Sequence, residues 1–138
     1  MRDQLNALLQ DSMREGNKMK TVTLRSIIAA ATVYEKLNPG KPIDYTAVLQ
    51  TAQKQRQQAI EGYTTAGRQD LVDAETAELA VIESLLPKQM TPEEVLDSMR
   101  ALDGTDGTIK SLIGAFKAKY PGVASGKDIA DAAKLLAV

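Results

Sequence analysis

The stretch from Gln53 to Pro87, QKQRQQAIEGYTTAGRQDLVDAETAELAVIESLLP, constrains the fold more than any other part of the chain. It reads as two amphipathic helices joined by a tight turn. On the first, Leu49, Ala52, Ile60 and Tyr63 fall on one face at helical spacing, and Arg56 sits in the same stripe. On the second, Leu71, Ile82 and Leu85 share a face that also contains Glu75 and Glu78. Gly67 can take the left-handed conformation that ends a helix, and Asp70 is placed to cap the next. Short connections favour antiparallel neighbours, so Arg56 is expected to meet Glu75 or Glu78 inside the pair, with Arg25 as a further member of the network. A charge in an apolar stripe has two readings. One is an internal ion pair that fixes helix register, where loss of one partner costs about 3–5 kcal/mol. The other is a pocket with a ligand or a catalytic carboxylate. Nothing else in the sequence supports the second.

The remaining elements follow from caps and breakers. A first helix from Arg2 to Glu15 turns Leu5, Leu8, Leu9 and Met13 inward, and Gly16 stops it. Asn17 caps a second helix, Lys18 to Leu37, with Leu24, Ile27, Ile28, Ala31 and Tyr34 as its stripe. Asn38-Pro39-Gly40 ends that helix, and Asp44 caps the third. Beyond Pro87, Thr91-Pro92-Glu93-Glu94 combines an N-cap, a proline at the first helical position and a glutamate at the third. Val95, Met99 and Leu102 follow as inward positions. Thr108 caps a sixth helix carrying Ile109, Leu112, Ile113 and Phe116, which stops at Tyr120-Pro121-Gly122. Ser125 caps the last, with Ile129, Ala132, Ala133 and Leu136 on its apolar side. The expected fold is all-α: a four-helix bundle over 1–88, then a small three-helix tail over 89–138. About fifty residues are marginal as an independent core, so the tail is expected to lean on the bundle or to stay mobile.

Composition narrows the chemistry. Seventeen basic residues against eighteen acidic ones leave a formal charge of −1 over 138 residues, which is no footprint of binding nucleic acid through bulk charge. DNA is not expected as a partner, and any RNA contact needs a local patch. The absence of cysteine removes disulfides and thiolate metal sites. The absence of histidine removes the commonest general base and metal ligand. No GxGxxG, GxxxxGK[ST] or G-x-S-x-G pattern occurs. Every carboxylate has a cap or surface-charge explanation. The expectation is no catalytic residue, no cofactor and no metal. With no signal-peptide pattern and no apolar run approaching a membrane span, a soluble cytoplasmic protein is expected.

The run KQRQQAIEGYTTAGRQDLVDAETAELAVIESLLPKQMTPEEV resembles the GatB/YqeY family, specifically its small free-standing YqeY-like members. The resemblance covers nearly the whole chain, strongest at Lys54 to Arg56, Ala66 to Leu71, Glu75 to Glu78 and Leu85 to Pro87. It implies an all-helical fold with a tail like that of the GatB subunit of tRNA-dependent amidotransferases. The segment LIGAFKAKYPGVASGK, Leu112 to Lys127, carries that second likeness, with Gly114, Lys117, Gly122 and Ala124 at matching positions. In that family the tail helps to hold the tRNA body, and the chemistry resides in domains this chain does not have. Val123 departs from the pattern, standing where a basic residue is often found.

The physical counterpart of this resemblance is a basic turn. Lys117 and Lys119 precede it, Lys127 follows it, and the amides around Gly126 open the last helix, where an anion is favoured. Gly122 shapes the turn, and Tyr120 is the nearby aromatic. The bland reading is three solvated lysines around an ordinary helix–helix turn. A second basic cluster, Lys18, Lys20 and Arg25, opens the second helix, where Asp11 and Glu15 are near enough to balance it. Three functions remain open. One is a non-catalytic module binding tRNA or a tRNA-handling enzyme such as an aminoacyl-tRNA synthetase. The second, implied by the family, is an accessory part of a carbon–nitrogen ligase with glutamine as amido-N-donor, although the chain has neither a glutaminase nucleophile nor an ATP site. The third is a protein–protein adaptor without RNA, using an exposed groove of the bundle.

Overall fold

The computed structural model describes residues 1–137. Among them are seven helices and no strand: α1 (Arg2–Arg14), α2 (Lys18–Leu37), α3 (Tyr45–Thr65), α4 (Gln69–Leu85), α5 (Pro92–Arg100), α6 (Ile109–Lys119) and α7 (Gly126–Leu136). No described helix is long and apolar enough to cross a membrane. Contacts divide the chain into two compact units, Met1–Leu85 and Leu86–Val138, so the division falls three residues before Lys88.

The helix starts are built by side chains that replace missing intrahelical acceptors. Asn17 accepts from the Lys20 amide, Asp44 from Ala47, Thr108 from Ser111 and Ser125 from Asp128. Thr91 and Glu94 form a reciprocal capping box at α5, with Pro92 at its start. At α4 the expected cap is absent. The helix begins at Gln69, so Asp70 lies within its first turn, and its carboxylate takes two hydrogen bonds from the Arg68 guanidinium (3.2 and 3.1 Å). Gly67 at φ +72° supplies the left-handed residue that lets α3 reverse into α4.

In the first unit, α3 and α4 run antiparallel: Gln53 meets Glu83, whereas Arg56 meets Glu78 and Glu75. The Gln53 amide, 3% exposed, donates to the Glu83 carboxylate at 3.3 Å. Helices α1 and α2 are likewise antiparallel, tied by Ser12 to Thr21 near the turn and by Arg2 to Glu35 at the far end. Leu5, Leu24, Ile27, Ala31, Val48, Leu49, Ala52 and Ile82 make the buried apolar set of this unit. Met13 is not among them. It is 46% exposed, and Ser12 takes the inward position instead, because its hydroxyl finds the Leu9 carbonyl and the Thr21 hydroxyl, each at 2.8 Å.

In the second unit α7 packs on both α5 and α6, which barely touch each other. Val95, Met99, Leu112, Phe116, Ala124, Ile129, Ala132 and Ala133 form its core. Ile109, expected inward, is 42% exposed at the first position of α6.

Candidate functional site

Arg56 reaches from α3 to two carboxylates on α4. Glu75 and Glu78 are three residues apart and so share a helix face. The Arg56 Nε atom lies 3.7 Å from Glu75 Oε2 and 3.8 Å from Glu78 Oε2, with the three side chains 17, 22 and 21% exposed. These are ion pairs beyond hydrogen-bond length, and Nε is fully buried with no hydrogen-bond partner. A terminal guanidinium nitrogen donates a long bond, 3.4 Å, to Ser26 Oγ of α2. The Thr23 hydroxyl donates to the Met19 carbonyl at 2.9 Å and stands 3.4 Å from Glu78 Oε1. Three helices therefore converge on one arginine. Burial, and then the charge of Glu78, push the Glu75 carboxyl above its ordinary value, although Arg56 pulls it down. Arg25 stands outside this network. It is exposed, and its guanidinium lies 3.4 Å from the Met13 sulfur, because its position on α2 turns it away from α3 and α4. The cluster links α2, α3 and α4 through Ser26, Arg56, Glu75 and Glu78.

The basic turn belongs to the second unit. Lys117 and Lys119 are exposed in the last turn of α6, where cations complement the carbonyl end of the helix dipole. Lys119 Nζ lies 5.5 Å from the centre of the half-buried Tyr120 ring, and that ring is tilted 43° against Phe116 at 5.2 Å. Tyr120 is thus already engaged on core and cation. Gly122, at φ +77°, is buried, and its carbonyl accepts from the Gln89 side chain at 2.8 Å. One residue on, the Val123 carbonyl accepts from the Met90 amide at 2.8 Å. Gly122 therefore anchors the turn from inside. Gly126 and Lys127 are exposed at the start of α7, and a Cβ added at Gly126 would meet nothing within 4 Å. Asp128 follows in the same first turn and places a negative charge there.

The family model for Yqey-like proteins matches residues 2–135, a span that includes both units. The chain belongs to the YqeY-like family. No curated protein matches it. Membership covers α1 to α7 almost entirely, so the ion cluster and the basic turn both lie inside the YqeY-like region.

Sequence reasoning missed two features here. The Gln89 latch on Gly122 joins residues 33 apart, and no local pattern announces it. The second was within reach. Val22, Val33 and Leu37 recur on α2 at helical spacing outside its buried stripe, and all three are exposed.

Proposed function

We propose that this YqeY-like protein is a non-catalytic helical module that binds tRNA through the turn between α6 and α7. The observation that supports this reading is the exposure of Lys117, Lys119 and Lys127 on either side of one tight turn whose backbone is held from within by Gln89 and Met90. Cations at the end of one helix and the start of the next, around a held turn, suit phosphate better than base edges, so contact with the nucleic-acid backbone is favoured over sequence readout. The open start of α7 at Gly126 allows close approach. Asp128 opposes an anion, and three lysines supply few phosphate contacts, so the binding is weak at physiological salt. A sequence without histidine or cysteine fits a binding role better than a catalytic one. A cytoplasmic location is part of the same proposal.

The test is fluorescence anisotropy of labelled total tRNA with the full-length chain at low salt. The combined change Lys117→Ala, Lys119→Ala and Lys127→Ala abolishes binding and leaves helicity unchanged, since all three side chains are exposed. Undiminished affinity in that variant, or no binding by the unaltered chain, refutes the proposal.

A further inference from the structure

Helix α2 is apolar on two sides. Leu24, Ile27 and Ala31 form its buried stripe. Met19, Val22, Ala30, Val33 and Leu37 form a second, with the small polar Ser26 between Val22 and Ala30, and every one of them is exposed. Val22, Val33 and Leu37 are 58, 55 and 76% exposed. A helix with two apolar faces is ordinarily covered on both. The lower part of the second stripe borders a groove of about 300 Å³ between α2 and α3, whose far wall includes Ala47, Val48 and Thr51. Large side chains at the ends of the stripe and small ones at Ser26 and Ala30 leave a trough that a helix backbone can approach closely.

The edge of this trough is basic. Lys18, Arg25 and Lys36 lie seven and eleven residues apart, two and three helical turns, and so line one flank of the apolar stripe. All three are exposed, and none forms an ion pair among the described residues. The only acid of α2, Glu35, is held at 3.0 Å by Arg2. Helix α2 carries four basic residues and one acidic one, although the overall formal charge of the protein is −1. A second copy docked antiparallel on this stripe would bring Lys36 against Lys18, a like-charge arrangement. The charge pattern selects a different occupant.

We infer that the trough formed by α2 and α3 receives an amphipathic helix of a partner protein, with apolar anchors at i, i+3/4 and i+7 and a flank of Asp or Glu. This is the helix-in-groove mode of recognition. The anchors cover Val33, Leu37 and the α3 wall, while the acidic flank meets Lys18, Arg25 and Lys36. The inference is independent of the basic turn in the second unit.

The test is selection of the immobilised full-length chain against a displayed library of helical peptides randomised on one face, followed by affinity measurements with the enriched peptides. Enriched sequences share the apolar spacing and carry acidic residues along one edge. Val33→Asp and Leu37→Asp each weaken their binding about tenfold or more. Both are surface changes, verified by unaltered helicity. Lys36→Glu weakens binding at low salt, and a Glu→Lys change in the peptide's flank restores it. No enrichment, enrichment without acidic bias, or equal binding by Val33→Asp overturns the inference. So does a self-association measured by sedimentation that Val33→Asp abolishes, which would give the trough to a second copy. Loss of tRNA binding on Lys36→Glu would give the flank to RNA instead.

Discussion

The hydroxyls of Ser12 and Thr21 lie 2.8 Å apart between α1 and α2, in residues 0 and 8% exposed. Each also reaches a carbonyl, Leu9 at 2.8 Å and Asn17 at 2.9 Å. Two hydroxyl protons cannot fill three contacts. One proton bridges the two hydroxyls, from either side, and the other goes to a carbonyl. Thr21→Val, which keeps the shape and removes the donor, is expected to lower stability by about 1 kcal/mol, and Ser12→Ala by a similar amount. The double variant loses less than the sum, because neither oxygen is left facing a missing partner. Denaturant melts of the four proteins measure the coupling, and strict additivity would contradict it.

Arg56 offers a larger effect. Replacing it with alanine leaves Glu75 and Glu78 side by side, about four-fifths buried, with no cation between them. A fully buried orphaned charge costs about 3–5 kcal/mol, and partial exposure together with the long N–O distances reduces this to about 2–3 kcal/mol. Adding Glu75→Gln to Arg56→Ala regains part of the loss, since one of the two repelling charges disappears. An unchanged melting temperature in Arg56→Ala would mean that the cluster holds nothing together.

How far the sequence revealed these features depended on how local their causes are. Asn17, Asp44, Thr91, Thr108 and Ser125 each cap the helix their spacing announced, because a cap is decided within four residues. The pairing of Arg56 with Glu75 and Glu78 was legible because a short turn leaves two helices little choice but to lie antiparallel. Positions decided by a distant partner were not. Met13 and Ser12 are one residue apart, and hydropathy favours Met13, yet the Thr21 hydroxyl across the interface makes Ser12 the inward residue. Gln53 is buried for a similar reason, with Glu83 as its partner. Arg25 failed as a member of the ion cluster because adjacency to an apolar stripe does not settle which neighbouring helix a flanking side chain faces.

The Glu75 carboxyl gives the stability a pH dependence of definite sign. Its proton is held more tightly in the folded chain than at the ordinary value of 4.5, chiefly through burial and then through Glu78. The stability this contributes is fully present below 4.5 and is lost as pH rises through the raised folded value. The exposed carboxyls of Asp70 and Asp106 behave oppositely. Hydrogen bonds from Arg68 and Thr108 hold them below their ordinary 3.8, so their contribution is present above that value and falls away in stronger acid. Comparison with Glu75→Gln isolates the first effect. Relative to that variant, the unaltered chain is expected to lose stability as pH rises from the ordinary 4.5 through the raised folded value. A pH-independent difference in melting temperature would show that Glu75 titrates normally.

Gln89 tests the inner support of the basic turn. Its side-chain nitrogen donates to the Pro87 carbonyl at 2.7 Å and to the Gly122 carbonyl at 2.8 Å, so both amide protons are used. Gln89→Ala leaves the carbonyl of a buried glycine without this donor, at an expected cost of about 1–3 kcal/mol to the second unit. Amide hydrogen exchange should rise around 120–124 and remain unchanged in α1 to α4. Equal protection throughout would show that the turn is held by the Met90–Val123 bond alone.

The last expectation concerns salt. If the proposed tRNA contact is made by lysines on phosphate, each contact releases a counterion, and the slope of log affinity against log salt reports their number. Each phosphate-bound lysine contributes about 0.7–0.9 to the magnitude of the slope, so the three exposed lysines around the turn together give about 2–3. Lys117→Ala and Lys127→Ala should each remove one such share. Lys119 differs, because its ammonium lies 5.5 Å from the Tyr120 ring and is partly committed to it. Lys119→Arg keeps the charge and suits stacking on the ring, so it preserves the slope, whereas Lys119→Ala lowers it and also exposes the ring. A slope that stays the same in all three alanine variants would move the phosphate contacts away from this turn.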